Sequence, residues 1–141
     1  MLLGGQFIVR WEVVVDKLDD IFAKQRQLDD FLISERGLDF DTQVWVQKGV
    51  LAMISELAEL LDEVNFKWWK NPTPVNEDRV KDEMVDILHF FVSMCNKIGM
   101  DSQELYERYL AKNEVNFRRQ HGTGDKPGYE LPAGPNKNVQ P

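Results

Sequence analysis

Four carboxylates stand out by their spacing. Glu56 and Glu59 are three residues apart, and so are Glu83 and Asp86. Each pair falls in a segment with helical periodicity, where residues three apart are surface neighbours. Each pair therefore presents two carboxylates to one spot. Two such helices packed side by side would aim all four into a common gap, where like charges repel unless a cation lies between them. An oxygen-only donor set favours a hard cation, magnesium with manganese as substitute, over zinc or copper. The competing reading is a solvated acidic face, since acid pairs at this spacing are common on surface helices.

Helical phase follows by counting. On the first acid-bearing helix Val46, Val50, Met53, Leu57, Leu60 and Val64 recur at spacings of four or three, a stripe expected to face the core. Glu56, Glu59 and Glu63 fall on one flank of it, beside Gly49 and Ala52. On the second, Val80, Met84, Ile87, Phe91, Cys95 and Ile98 form the stripe, again with Glu83 and Asp86 on a flank. Acids that border an apolar stripe become partly buried on packing, which is where metal ligands belong.

The elements around these two helices can be read in the same way. Asp16 to about Ser34 reads as a helix with Leu18, Ile21, Phe22, Leu28 and Phe31 or Leu32 as its stripe. Gln25 sits in that stripe, either as an amide satisfied by a neighbour or as one facing a polar ligand. Gly37 to Asp41 breaks the helix, and Asp41 or Thr42 caps the next, which runs to about Asn65. Phe66-Lys67-Trp68-Trp69-Lys70 follows, then two prolines. Lys67 and Trp69 could line a pocket for a base and phosphates, or serve as packing anchors with snorkelling lysines. Asn76 caps the third helix, which ends at Gly99. Asp101-Ser102-Gln103-Glu104 reads as a capping box opening a fourth. Along that helix Leu105, Tyr109, Lys112, Asn116 and Arg119 share a face that turns from apolar to basic. That face is either a phosphate-binding edge or an ordinary polar terminus. Beyond Gly122 periodicity is lost.

With 141 residues, 43% hydrophobic and 29% charged, the chain reads as one all-α domain over residues 1–129. Residues 1–15 form an extension of unassigned structure, and 130–141 a flexible tail. A formal net charge of −7 argues against nucleic acid or an anionic membrane as partner. The single cysteine, Cys95, lies on an apolar stripe and reads as a core thiol in a reducing, cytoplasmic setting. Neither a membrane span nor a signal peptide is legible. The broad apolar faces point to a homodimer.

Taken together, these words resemble a known family. The two acid pairs match the paired motif of the all-α, MazG-like nucleoside triphosphate pyrophosphatases. "IFAKQRQLDDFL", "ISELAELLDEVNFKWWK", "DEMVDILHFFVS" and "KNEVNFRRQHGTGDKPGY" resemble, in order, the motifs of the dimeric dUTP pyrophosphatases over about residues 16–129. The resemblance implies a bundle of about four core helices that hydrolyses dUTP, with dUDP as a possible second substrate, to dUMP using magnesium. It implies Glu56, Glu59, Glu83 and Asp86 as metal ligands and catalytic groups. It also implies Gln25, Glu63, Lys67, Trp69, Lys112, Asn116, Arg119 and Tyr129 around the nucleotide. A pyrophosphatase for another nucleotide, such as dCTP or a damaged one, is the alternative. Two rivals lie further off. One is a di-iron bundle using Asp86-x-x-His89, and the other a non-catalytic helical dimerisation module.

Overall fold

A computed structural model describes residues 16–132; the expectations for 1–15 and for most of the tail lie outside them. Four helices and no strand make up this part: α1 (Lys17–Arg36), α2 (Thr42–Glu63), α3 (Glu77–Lys97) and α4 (Ser102–Gln120). The start of each is set by the residue just before it. Asp16 accepts from the Leu18 and Asp19 amides, Asp41 from Val44, Asn76 from Asp78 and Arg79, and Asp101 from Glu104. Each side-chain oxygen satisfies amides that have no partner within their own helix. The expected capping box at α4 is only half formed: the Glu104 carboxylate accepts from Arg108 Nε at 2.7 Å instead.

Helix ends follow the same logic. Gly37 leaves α1 in the left-handed region (φ 59°), which lets the chain reverse, and the Leu38 amide returns to the Ile33 carbonyl. Among the described residues Asn65 is the one non-glycine with positive φ. It holds that conformation while its side chain bonds the backbone of Thr73 in both directions, at 2.8 and 2.9 Å. The connector carrying Trp68, Trp69 and the prolines is thus pinned at its base.

Helices α2 and α3 form an antiparallel hairpin, α1 lies against α3, and α4 rests on α1. The core is small. Phe22, Val92 and Cys95 are buried, and Leu18, Phe91, Met100 and Leu105 pack around them. Cys95 is the core thiol its stripe implied, and burial pushes its pKa up.

One expectation needs correcting. The apolar stripe of α2 faces the interior only in part: Val46, Met53 and Leu60 are half-buried, whereas Val50, Leu57 and Val64 are exposed. The side of α2 that meets α3 is the flank carrying Gly49 and the acids. The contact is close at Gly49, where a Cβ would stand 2.7 Å from the Met94 sulfur, so the Met94 side chain packs directly on the bare backbone of α2. Among the described residues no helix is long and apolar enough to cross a membrane.

Candidate active site

The hairpin register aligns the acids. Lys97 Nζ lies over the Trp45 ring at 4.7 Å, Met94 packs on Gly49, and Arg79 pairs with Glu63 at 2.6 Å. Between these fixed points the antiparallel register sets Glu56 level with Asp86, and Glu59 level with Glu83. The result is a ladder of carboxylates along the α2–α3 seam.

Glu56, Glu59 and Glu83 each offer an oxygen within 4.8 Å of the others. Glu83 Oε2 is buried and has no hydrogen-bond partner among the described residues. A buried carboxylate oxygen without a donor is a marked exception to the usual satisfaction of polar groups. Burial first, then repulsion from Glu59 and Asp86, holds both Glu56 and Glu83 above the ordinary carboxylate pKa. Such a set of unpartnered hard oxygens fits a divalent cation of the magnesium or manganese type. Asp86 stands beside this three-oxygen group and adds to its field.

At one end the ladder opens into a cavity of about 630 Å³ between α1, α2 and α3. Glu56 and Asp86 form part of its wall, so acids and cavity are continuous. Trp45, Phe90, Met94, Leu28, Leu32 and Leu38 supply apolar walls, and a volume of this order suits a nucleoside-sized ligand. Lys48 and Lys97 stand at its α2 and α3 sides, with Lys48 over the Phe40 ring at 4.6 Å.

Gln25 forms part of the cavity wall and is only 7% exposed. Its two alternative readings meet here. The amide is satisfied by neighbours: Nε2 donates to Asp29 Oδ1 at 2.9 Å and Oε1 lies 2.6 Å from His89 Nδ1. Ser93 Oγ donates to the other Asp29 oxygen at 2.7 Å. The amide also keeps one N–H and one lone pair for a ligand.

Other expected residues are distributed differently. Glu63 is half-buried and committed to Arg79. Lys67 pairs with Asp62 and lies over the Phe66 ring, while Trp69 packs edge-on against Phe66 and Trp68; neither Lys67 nor Trp69 borders the cavity. Lys112, Asn116, Arg119 and Tyr129 belong to the far half of α4 and the segment after it, also outside the cavity wall. There Arg119 donates to Asp125 at 2.9 Å and lies over the Tyr129 ring. His89, with Nδ1 turned to Gln25, stands outside the three-oxygen group, so the di-iron pattern is not assembled.

Asp29, Ser93 and Phe90 were not singled out from sequence. A signal was present for two of them: Asp29 is one turn from Gln25, and Ser93 one turn from His89. Polar residues repeating with helical period on faces bound for a neighbour mark a paired network.

Comparison with known proteins adds the following. Residues 17–100 match the sequence model of a family described as dUTPase. A dCTP pyrophosphatase of Enterobacteria phage T4 is 40% identical over 48 residues, which is 34% of this chain and 28% of that protein. A dCTP pyrophosphatase of Enterobacteria phage LZ5 is 25% identical over 104 residues, 72% of this chain and 60% of that protein. The matched stretches thus span less than two thirds of either phage protein. No solved structure matches the chain significantly.

Proposed function

The chain belongs to the dUTPase family, and from that premise we propose that it is a magnesium-dependent nucleotide pyrophosphohydrolase acting on dUTP. The observation that carries this reading is the continuity of the acid ladder with the cavity through Glu56 and Asp86. A nucleoside seated between Trp45 and Phe90 would send its phosphates out along the carboxylates.

Glu56, Glu59 and Glu83, with Asp86 beside them, would hold the magnesium, which when bound lowers the pKa of water and neutralises phosphate charge. The chain's own groups do the rest. Apolar walls exclude water from the base, and Gln25, locked by Asp29 and His89, offers a fixed donor and acceptor to its edge. A carboxylate of the ladder accepts the proton of the attacking water. The water oxygen bonds to a phosphorus of the α,β-anhydride bridge, the bridging P–O bond breaks, and pyrophosphate leaves the nucleoside monophosphate.

Uracil presents a carbonyl, an N–H and a second carbonyl, and one amide can match two adjacent members of that edge. Cytosine is the second reading, favoured by both phage relatives being dCTP pyrophosphatases. We also propose a homodimer. Val50, Ile54, Leu57, Leu61 and Val64 form an exposed stripe along α2, wider than a small monomer leaves uncovered. The test of the activity is pyrophosphate release over the common nucleotides with and without magnesium. Release from dUTP in magnesium alone is expected, and no release from any nucleotide would end the reading.

A further inference from the structure

The ladder has a second end, away from the cavity. One turn beyond Glu59 stands Glu63, and one turn before Glu83 stands Arg79, joined at 2.6 Å. From the cavity outward the seam therefore runs Glu56 and Asp86, then Glu59 and Glu83, then Glu63 and Arg79. From Glu56 to Glu63 is about 10 Å of helix, comparable with an extended phosphate chain. The side chain of Arg79 is 64% exposed against 16% for Glu63. Its contact to Glu63 uses Nη2, and among the described residues Nε and Nη1 of the fork have no partner. Of the cations nearby, Lys67 is turned to Asp62, and Lys48 and Lys97 stand at the cavity end.

We infer that Arg79, anchored on Glu63, receives the terminal phosphates of the substrate and so the departing pyrophosphate. This rests on the pyrophosphohydrolase reading above for the direction of the substrate. A guanidinium matches phosphate oxygens with two parallel donors, and a half-buried carboxylate behind it fixes where the fork points. The residue thereby distinguishes a triphosphate from shorter nucleotides.

The test is calorimetric titration of the full-length chain with inorganic pyrophosphate in magnesium. Arg79→Met is expected to weaken binding about tenfold or more, the usual scale for a charge-assisted contact, and Arg79→Lys to recover part of it. Glu63→Gln removes the anchor but keeps the cation, and is expected to cost clearly less affinity than Arg79→Met. Unchanged binding in Arg79→Met overturns the inference. So does an equal loss in Glu63→Gln, which would make the pair a structural link only. If Arg79→Met fails to fold, the double variant Glu63→Gln/Arg79→Met, which strands no charge, carries the same comparison. Kinetics give a separate arm: Arg79→Met should lower the kcat/KM ratio of dUTP to dUDP, and an unchanged ratio counts against the role. Should the wild type hydrolyse no nucleotide, the proposed function falls, while the pyrophosphate titration still decides on Arg79.

Discussion

His89 Nδ1 lies 2.6 Å from the side-chain oxygen of Gln25, joining α3 to α1 across 64 residues of chain. The orientation of both groups follows from Asp29. Its carboxylate only accepts, so it takes the Gln25 amide N–H and leaves the oxygen for the histidine, whose Nδ1 must then carry the proton. Gln25→Leu leaves Asp29 and His89 without this partner. Asp29 is only half-buried and keeps Ser93, and His89 is exposed, so stability is expected to fall by about 1 kcal/mol, the net scale of a lost hydrogen bond. The preference for dUTP over dCTP should shrink with it. Denaturant melts and the ratio of kcat/KM values check the two effects, and an unaltered ratio would show that the base is read elsewhere.

Removing one ladder charge without changing shape should abolish turnover. Glu83→Gln and Asp86→Asn are each expected to lower kcat by about a hundredfold or more, while circular dichroism stays helical. Near wild-type turnover in either variant would remove that residue from the machinery.

The raised pKa values of Glu56 and Glu83 give a pH signature. A carboxyl whose folded pKa lies above its unfolded value favours folding while protonated. That contribution is complete below the unfolded value, near 4.5, and is lost as the pH rises through the higher folded value. Metal-free protein should therefore lose stability from this pair on going from pH 4.5 toward neutrality. Magnesium should raise Tm more at pH 7 than at pH 5. Glu83→Gln should narrow that gap, and a melt indifferent to magnesium at both pH values would contradict a cation site.

Association through α2 is testable by charge insertion. Leu57→Glu places a carboxylate in the middle of the exposed stripe. Sedimentation should show a dimer for the wild type and a monomer for the variant. A monomeric wild type at micromolar concentration would leave the stripe without the proposed role.

The helices were readable because their ends are decided locally. Asp16, Asp41, Asn76 and Asp101 each cap within three residues, and a β- or turn-forming alternative would leave those amides unpaired. Packing direction was not readable from the stripe. On α2 the leucine-and-valine side has the stronger hydrophobic signal, yet Val50, Leu57 and Val64 are exposed and Met94 packs at Gly49 on the acid side. Periodicity reports which residues share a face but not which face a neighbour takes. The same limit hid the Gln25 network: His89 and Ser93 reach Gln25 and Asp29 only once α1 and α3 are packed.

Helix α4 is attached to the rest through its first two turns. Among the described residues Ser102 hydrogen-bonds Asp19 and Leu105 reaches the Phe22 cluster, after which most of the helix is exposed, with Asn113, Val115 and Arg119 half-buried. Opening it breaks little of the interior, whereas parting α2 from α3 undoes the most extensive helix–helix contact among the described residues. Amide hydrogens of α4 in the isolated chain should then exchange through a cheap partial opening, and those of the hairpin only on global unfolding. A protease would find its first cut in the last turns of α4 long before the ladder came apart.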